Sequence, residues 1–128
     1  MGRIYCDMDM VLVHQTSGER FDIMPWMPGG KELWQFLSGR NVILLSQVKQ
    51  KRFGLTAAEK LAWIDRELGP DVPVIFTPDS RGKGPFARAG DVLIDDAEKH
   101  CNDWAVNGGI AIRHLNVEAT IFSLRPYL

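Results

Sequence analysis

Ile4-Tyr5-Cys6-Asp7-Met8-Asp9-Met10-Val11-Leu12-Val13 is an apolar run broken by two carboxylates one residue apart. Its first part, 3–6, reads as a buried strand, and Asp7 and Asp9 occupy the turn leaving it. Like charges held this close raise each other's pKa or demand a positive partner. The simplest partner is a divalent cation. The remainder of the chain reads as the scaffold this pair needs.

Downstream, apolar strands alternate with helices. The stretch 10–28 has mixed polarity, with Ser17-Gly18 as a turn, and is expected to form a hairpin or flap after the acidic pair. A short helix over 31–38 carries Leu33, Trp34 and Leu37 on one side and stops at Gly39. The stretch 41–45 is a nearly all-apolar strand, of the kind buried on both faces of a parallel sheet. A polar, basic loop over 46–52 follows it. The helix expected over 56–68 has a capping box of Thr56 and Glu59, a stripe of Leu61, Ile64 and Leu68, and Gly69 as its stop. Further strands are expected over 73–76, 91–94 and 110–112, with a loop over 77–84 and a helix over 97–106. The tail from Asn116 reads either as a helix capped by Asn116 or as a β-rich edge segment.

This alternation predicts an α/β fold with a mostly parallel, five-stranded sheet. Ligands of such sheets bind beyond the carboxyl ends of the strands. That rule brings Asp7/Asp9, Ser46, the loop holding Lys83, and Asp95/Asp96 to one rim. Four carboxylates, a hydroxyl and a lysine make an oxygen-rich pocket. Hard oxygen donors without cysteine or paired histidine favour Mg²⁺ over zinc, and the set suits phosphoryl chemistry.

The length of 128 residues and an apolar content of 45% suit one domain spanning 1–128. A net charge of −1 supplies no whole-molecule attraction to nucleic acid or membrane. Apolar runs fall short of a membrane span, and the amino terminus lacks a signal-peptide pattern. Cys6 and Cys101 sit in structural segments, so a reducing, cytoplasmic compartment is expected. An oligomer is compatible with these features.

Asp7-Met8-Asp9-Met10-Val11, Ser46 after Val42-Ile43-Leu44-Leu45, Lys83, and Val92-Leu93-Ile94-Asp95-Asp96 resemble the four motifs of the haloacid dehalogenase superfamily, in order and over nearly the whole chain. The run from Asp95 through Trp104, Gly108-Gly109 and His114 is similar to small bacterial and phage phosphatases of the 5'-nucleotidase type. The resemblance implies a three-layer Rossmann-like fold with helices on both faces, and a Mg²⁺-dependent phosphatase working through an aspartyl-phosphate. It implies Asp7 as nucleophile and Asp9 as general acid/base, with its backbone carbonyl also on the metal. Ser46, Gln47 and Lys83 would hold the phosphoryl group. Asp96 would ligate the metal, with Asp95 supporting it or orienting Lys83. Asp9 separates phosphatases from dehalogenases, which lack an acid there. Met10 departs from the Gly, Glu or other small or polar residue common in relatives. The segments between motifs leave no room for a full cap domain, so the site is expected to be open.

The implied substrate is a nucleotide-like or other small phosphate ester. The alternatives are a phosphatase of polynucleotide ends and a non-catalytic phosphate- or metal-binding module. The first draws on Lys49, Lys51 and Arg52, which otherwise read as a solvated loop. Plainer readings stand beside the sharp ones: Asp7 and Asp9 as turn carboxylates, and Asp95-Asp96 as a helix cap. His14, His100 and His114 show no ligand spacing and read as structural. Trp34, Trp63 and Trp104 read as core. Trp26, in the flap, is the aromatic placed for base stacking. Cys6 points away from the nucleophile by strand alternation.

Overall fold

The computed structural model describes residues 2–15 and 20–128. The expected Ser17-Gly18 turn lies outside the described residues. Five strands, β1 (Ile4–Cys6), β2 (Val42–Val48), β3 (Val74–Pro78), β4 (Val92–Asp95) and β5 (Ile110–Arg113), form one sheet. Their order is β3-β2-β1-β4-β5, and every pairing is parallel. The helices are α1 (Gly30–Leu37), α2 (Phe53–Glu67), α3 (Glu98–Val106) and α4 (Val117–Leu124).

Strand alternation builds two cores from one register. Ile4 pairs with Val42 and Val92, and Cys6 with Leu44 and Ile94. These side chains share one face, where they meet Leu33 and Leu37 of α1, Trp63 and Ile64 of α2, and Val117 and Leu124 of α4. Tyr5, Leu45 and Leu93 point the other way, onto Trp104 of α3 and Ala87. Tyr5 and Trp104 meet edge-on at 5.1 Å, and Trp104 donates its indole N–H to the Asp91 carbonyl at 3.1 Å. The result is the expected three-layer α/β sandwich. Covering both faces explains the unbroken apolar character of the central strands.

Several boundaries differ from expectation, each for a visible reason. Ser46, Gln47 and Val48 belong to β2 rather than to a loop, because β3 continues beside them with Ser46 opposite Phe76, Gln47 opposite Thr77 and Val48 opposite Pro78. The helix expected from Thr56 begins at Phe53. A 3-10 turn over Gln50–Arg52 feeds directly into it. That turn is tied to the loop after β3, since Gln50 N–H donates to Asp79 and the Ser80 hydroxyl donates to the Gln50 amide oxygen. Thr56 and Glu59 therefore form no capping box; Glu59 instead accepts the backbone N–H of Phe21 at 3.0 Å. The buried residues of α2 are Lys60, Trp63 and Ile64, while Leu61 is exposed. The tail is a helix: Asn116 Oδ1 caps it by accepting the Ala119 N–H at 2.8 Å.

Beyond β1, the carbonyl of Met8 accepts the N–H groups of Val11, Leu12 and Val13 in one tight turn. Residues 12–14 then pair with 25–27: Val13 is bridged to Trp26, His14 N–H donates to the Pro25 carbonyl and Met27 N–H to the Leu12 carbonyl. This is the flap, seated on α2 through the Phe21–Glu59 bond. Among the described residues no helix is long and apolar enough to cross a membrane.

Candidate active site

The carboxyl ends of β1, β2 and β4 meet at the centre of the sheet, and the loop before Gly84 folds over them. Lys83 has no solvent exposure. Its ammonium lies 2.9 Å from Asp7 Oδ1 and 2.6 Å from Asp95 Oδ2. Burial works against its charge, but the two carboxylates outweigh that and hold its pKa above the ordinary lysine value. The loop carrying it is clamped to α3 by the Gly84 N–H on Asp103 Oδ2 at 2.8 Å. A side chain at Gly84 would collide with Asp103 and Asn107, 2.6 Å from where its Cβ would stand.

Asp7 is buried, and burial pushes its carboxyl well above the usual range. Lys83 counteracts this, while Asp95 and Asp9 add to it. Asp95 also feels burial, yet hydrogen bonding by His100 and the charge of Lys83 bring its pKa below the usual value. Both Asp95 oxygens are occupied: Oδ1 accepts the Ala97 N–H, and Oδ2 faces Lys83 and His100. Asp96 is half-buried, and desolvation, then the charge of Asp95, raise its pKa. It does not cap α3; Ala97 holds the N-cap position without a side-chain cap.

One carboxylate oxygen each from Asp7, Asp95 and Asp96 lie within 4.8 Å of one another. Hard oxygen donors so close, with Asp7 and Asp96 destabilised by burial and neighbouring charge, fit a small divalent cation such as Mg²⁺. The Asp9 side chain is not in that trio. It turns instead toward β2 and α2, where Lys60 Nζ is 3.3 Å from its carboxylate. Lys60 also donates to Ser46 Oγ at 2.6 Å and to the Gln47 carbonyl at 3.1 Å. The Gln47 side chain reaches the other way, its amide oxygen 2.9 Å from His100 Nε2.

Asp7, Asp9, Ser46, Gln47, Lys83, Asp95 and Asp96 thus lie around one end of the sheet. Two residues there were not anticipated. A buried side of α2 phased on Leu61, Ile64 and Leu68 leaves Lys60 outside it. Phased on Trp63 and Ile64, the same helix puts a lysine in the apolar stripe, and that was the available signal. His100, expected to be structural, bridges Asp95 and Gln47; only the approach of α3 to β2 brings these together. Trp26 is half-buried between the flap and α2. Its ring meets Trp63 at 4.9 Å and its indole N–H donates to Glu67 at 2.8 Å.

Met10 follows Asp9 with a φ of +63°, the left-handed conformation that favours glycine. Cys6 is fully buried on the face opposite Tyr5, and burial, then Asp7, push its thiol far above its usual pKa. It is a packing residue. Cys101 is likewise a buried free thiol, raised to about 11 chiefly by burial.

No protein-family model matches the chain, and no curated protein sequence matches it. Solved structures do. A D,D-heptose 1,7-bisphosphate phosphatase from B. bronchiseptica, complexed with magnesium and phosphate, superposes with a TM-score of 0.59 at 14% identity, covering 98% of this chain and 99% of that one. The D,D-heptose 1,7-bisphosphate phosphatase from Burkholderia thailandensis gives 0.56 at 13% identity, covering 96% and 99%. At this level of identity the likeness is one of fold, and the chain has theirs.

Proposed function

We infer that the protein is a Mg²⁺-dependent phosphomonoesterase working through an aspartyl-phosphate on Asp7. The observation that carries this reading is a buried aspartate held by a buried lysine at the carboxyl edge of a parallel sheet, with two further carboxylates in reach. Asp7 attacks phosphorus as the ester P–O bond breaks. Asp9 gives its proton to the departing oxygen, then takes one from the water that attacks the acyl phosphate, and phosphate leaves as Asp7 is restored. Lys83 favours the anionic form of Asp7 and offsets charge on the phosphoryl oxygens, which Ser46 and Gln47 also face. Asp95 aims Lys83, with His100 behind it. A magnesium ion held by Asp7 and Asp96, beside the backbone of Asp9, would neutralise the phosphoryl group.

The substrate on this reading is a small phosphate ester, nucleotide-like or a sugar phosphate of the general kind named for the neighbours. On this reading the chain is one domain with a flap, and the described residues hold no cap over the site. Two buried free thiols suit a reducing, cytoplasmic setting. A second reading, removal of phosphate from nucleic-acid ends, is favoured by the exposed Lys49, Lys51 and Arg52 beyond the carboxyl end of β2.

The test is phosphate release from nucleotides, sugar phosphates and 3'- or 5'-phosphorylated oligonucleotides, with Mg²⁺ or EDTA, by wild type and Asp7→Asn. Metal-dependent turnover lost in the variant is expected. Undiminished turnover by Asp7→Asn would remove the nucleophile and the reading with it. Preference for oligonucleotide ends with steep salt sensitivity would select the second reading.

A further inference from the structure

Two lysines meet the carboxyl edge of the sheet, one from each face. Lys83 comes from the α3 side and joins the ends of β1 and β4 through Asp7 and Asp95. Lys60 comes from the α2 side and joins β1 to β2 through Asp9 and Ser46. Lys83 is part of the motif set; Lys60 is not.

A lysine at 1% exposure in a helix stripe shared with Trp63 and Ile64 is expensive to keep charged unless every donor is satisfied. Its ammonium has three N–H groups, and three acceptors receive them: Ser46 Oγ at 2.6 Å, the Gln47 carbonyl at 3.1 Å and Asp9 Oδ2 at 3.3 Å. The ring of Phe21, brought down by the flap, covers it with its centroid 4.9 Å away. With these three bonds in place, no donor is left for a substrate phosphate. The consequences fall on the two residues it holds. Ser46 Oγ, already accepting from Lys60, keeps its own O–H to donate to a phosphoryl oxygen. Asp9 has both carboxylate oxygens 3.3 Å from the ammonium: Oδ2 accepts an N–H, and the buried Oδ1, in ion-pair contact, makes no hydrogen bond among the described residues.

We propose that Lys60 is a positioning residue for proton transfer: anchored on β2 by Ser46 and the Gln47 carbonyl, it holds the Asp9 carboxylate in place with both oxygens within 3.3 Å of its ammonium. The proposal rests on the phosphomonoesterase reading above. Lys60 gains and loses nothing in the cycle. The proton passes from Asp9 to the leaving oxygen as the ester P–O bond breaks and the Asp7–phosphorus bond forms. It is replaced from water as the Asp7–phosphorus bond breaks and the water–phosphorus bond forms.

Lys60→Met keeps the length and burial of the side chain without the ammonium, and Lys60→Arg keeps the charge with a planar fork that cannot direct the same three bonds. Turnover is measured on an alkyl phosphate and on p-nitrophenyl phosphate, whose leaving group needs little protonation. Lys60→Met is expected to lose on the order of 10²-fold or more in kcat on the alkyl ester, and less than about tenfold on p-nitrophenyl phosphate. Its inhibition constant for inorganic phosphate should move by less than about threefold, and combination with Asp9→Asn should add little to the loss caused by Asp9→Asn alone. Lys60→Arg should recover part of the kcat.

Equal losses on both esters, or phosphate affinity falling in step with turnover, would make Lys60 a phosphate ligand and overturn the proposal. Thermal unfolding of Lys60→Met, Asp9→Asn and the double variant reads the pairing without turnover. Non-additive losses are expected and additive ones overturn it, even if wild type hydrolyses no ester and the underlying reading fails.

Discussion

Lys83 Nζ lies 2.6 Å from Asp95 Oδ2, and both side chains have no solvent exposure. Asp95, not Asp7, is therefore the closer counter-ion of the buried lysine. The charge balance of the site follows. Lys83 is shared, Asp95 is held below its usual pKa, and Asp7 bears the cost of burial beside a second carboxylate.

Asp7→Asn should make the protein more stable as well as inactive. A carboxyl whose folded pKa lies above its unfolded value binds more proton in the folded state. Native stability is then lost as pH rises from the unfolded value toward the folded one, and the penalty is complete above the folded value. Removing the charge while leaving Lys83 on Asp95 should raise Tm by a few degrees at pH 7.5 in metal-free buffer. A lower Tm than wild type would mean that Asp7 is the principal partner of Lys83.

Magnesium should raise the Tm of wild type by mass action, by an amount that grows with its concentration. Asp96→Asn should abolish most of that rise. Asp9→Asn should keep it, because the Asp9 side chain lies outside the trio formed by Asp7, Asp95 and Asp96. Calorimetric melts with and without Mg²⁺ distinguish the two variants; equal metal response in both would place the ion elsewhere.

Asp9→Asn itself should lose roughly 10²- to 10⁴-fold in turnover of alkyl phosphates, the usual range for a lost general acid. The loss should shrink as the leaving group becomes more acidic. Uniform loss across a series of aryl and alkyl phosphates would give Asp9 another role.

His114 is buried against Thr120, its Nδ1 2.7 Å from the hydroxyl, and burial lowers its pKa below the ordinary 6.5 while Asp96 opposes the shift. The unfolded chain takes up a proton that the folded one declines. The stability this neutral histidine contributes is complete above about pH 6.5 and is lost as pH falls toward and through its folded value. Between pH 7.5 and 5.5, Tm should fall less steeply in His114→Gln than in wild type. Parallel slopes would assign the acid sensitivity to other groups.

Much of the fold was open to reading because two-sided burial leaves a direct mark on composition. Ile4-Tyr5-Cys6, Val42 to Leu45 and Val92-Leu93-Ile94 are apolar at consecutive positions, as central parallel strands must be, and the polar residues that follow them collect at the ligand-binding edge. The stop at Gly69, with a φ of +115°, was similarly local. Asn116 was readable as a cap, but choosing helix over edge strand needed the contacts of α4 with Val117 and Leu124 in the core.

The chain by itself determined the alternation of strands and helices and the meeting of Asp7, Asp9, Ser46, Lys83, Asp95 and Asp96 at one edge, because strand periodicity and parallel topology decide where strand ends go. What only the tertiary structure decided is which cation serves which carboxylate. Lys60 is 51 residues from Asp9, and Lys83 is 76 from Asp7. No periodicity relates such partners. They are selected by the face of the sheet each helix or loop covers and by the need of a buried ammonium to spend every N–H on an oxygen.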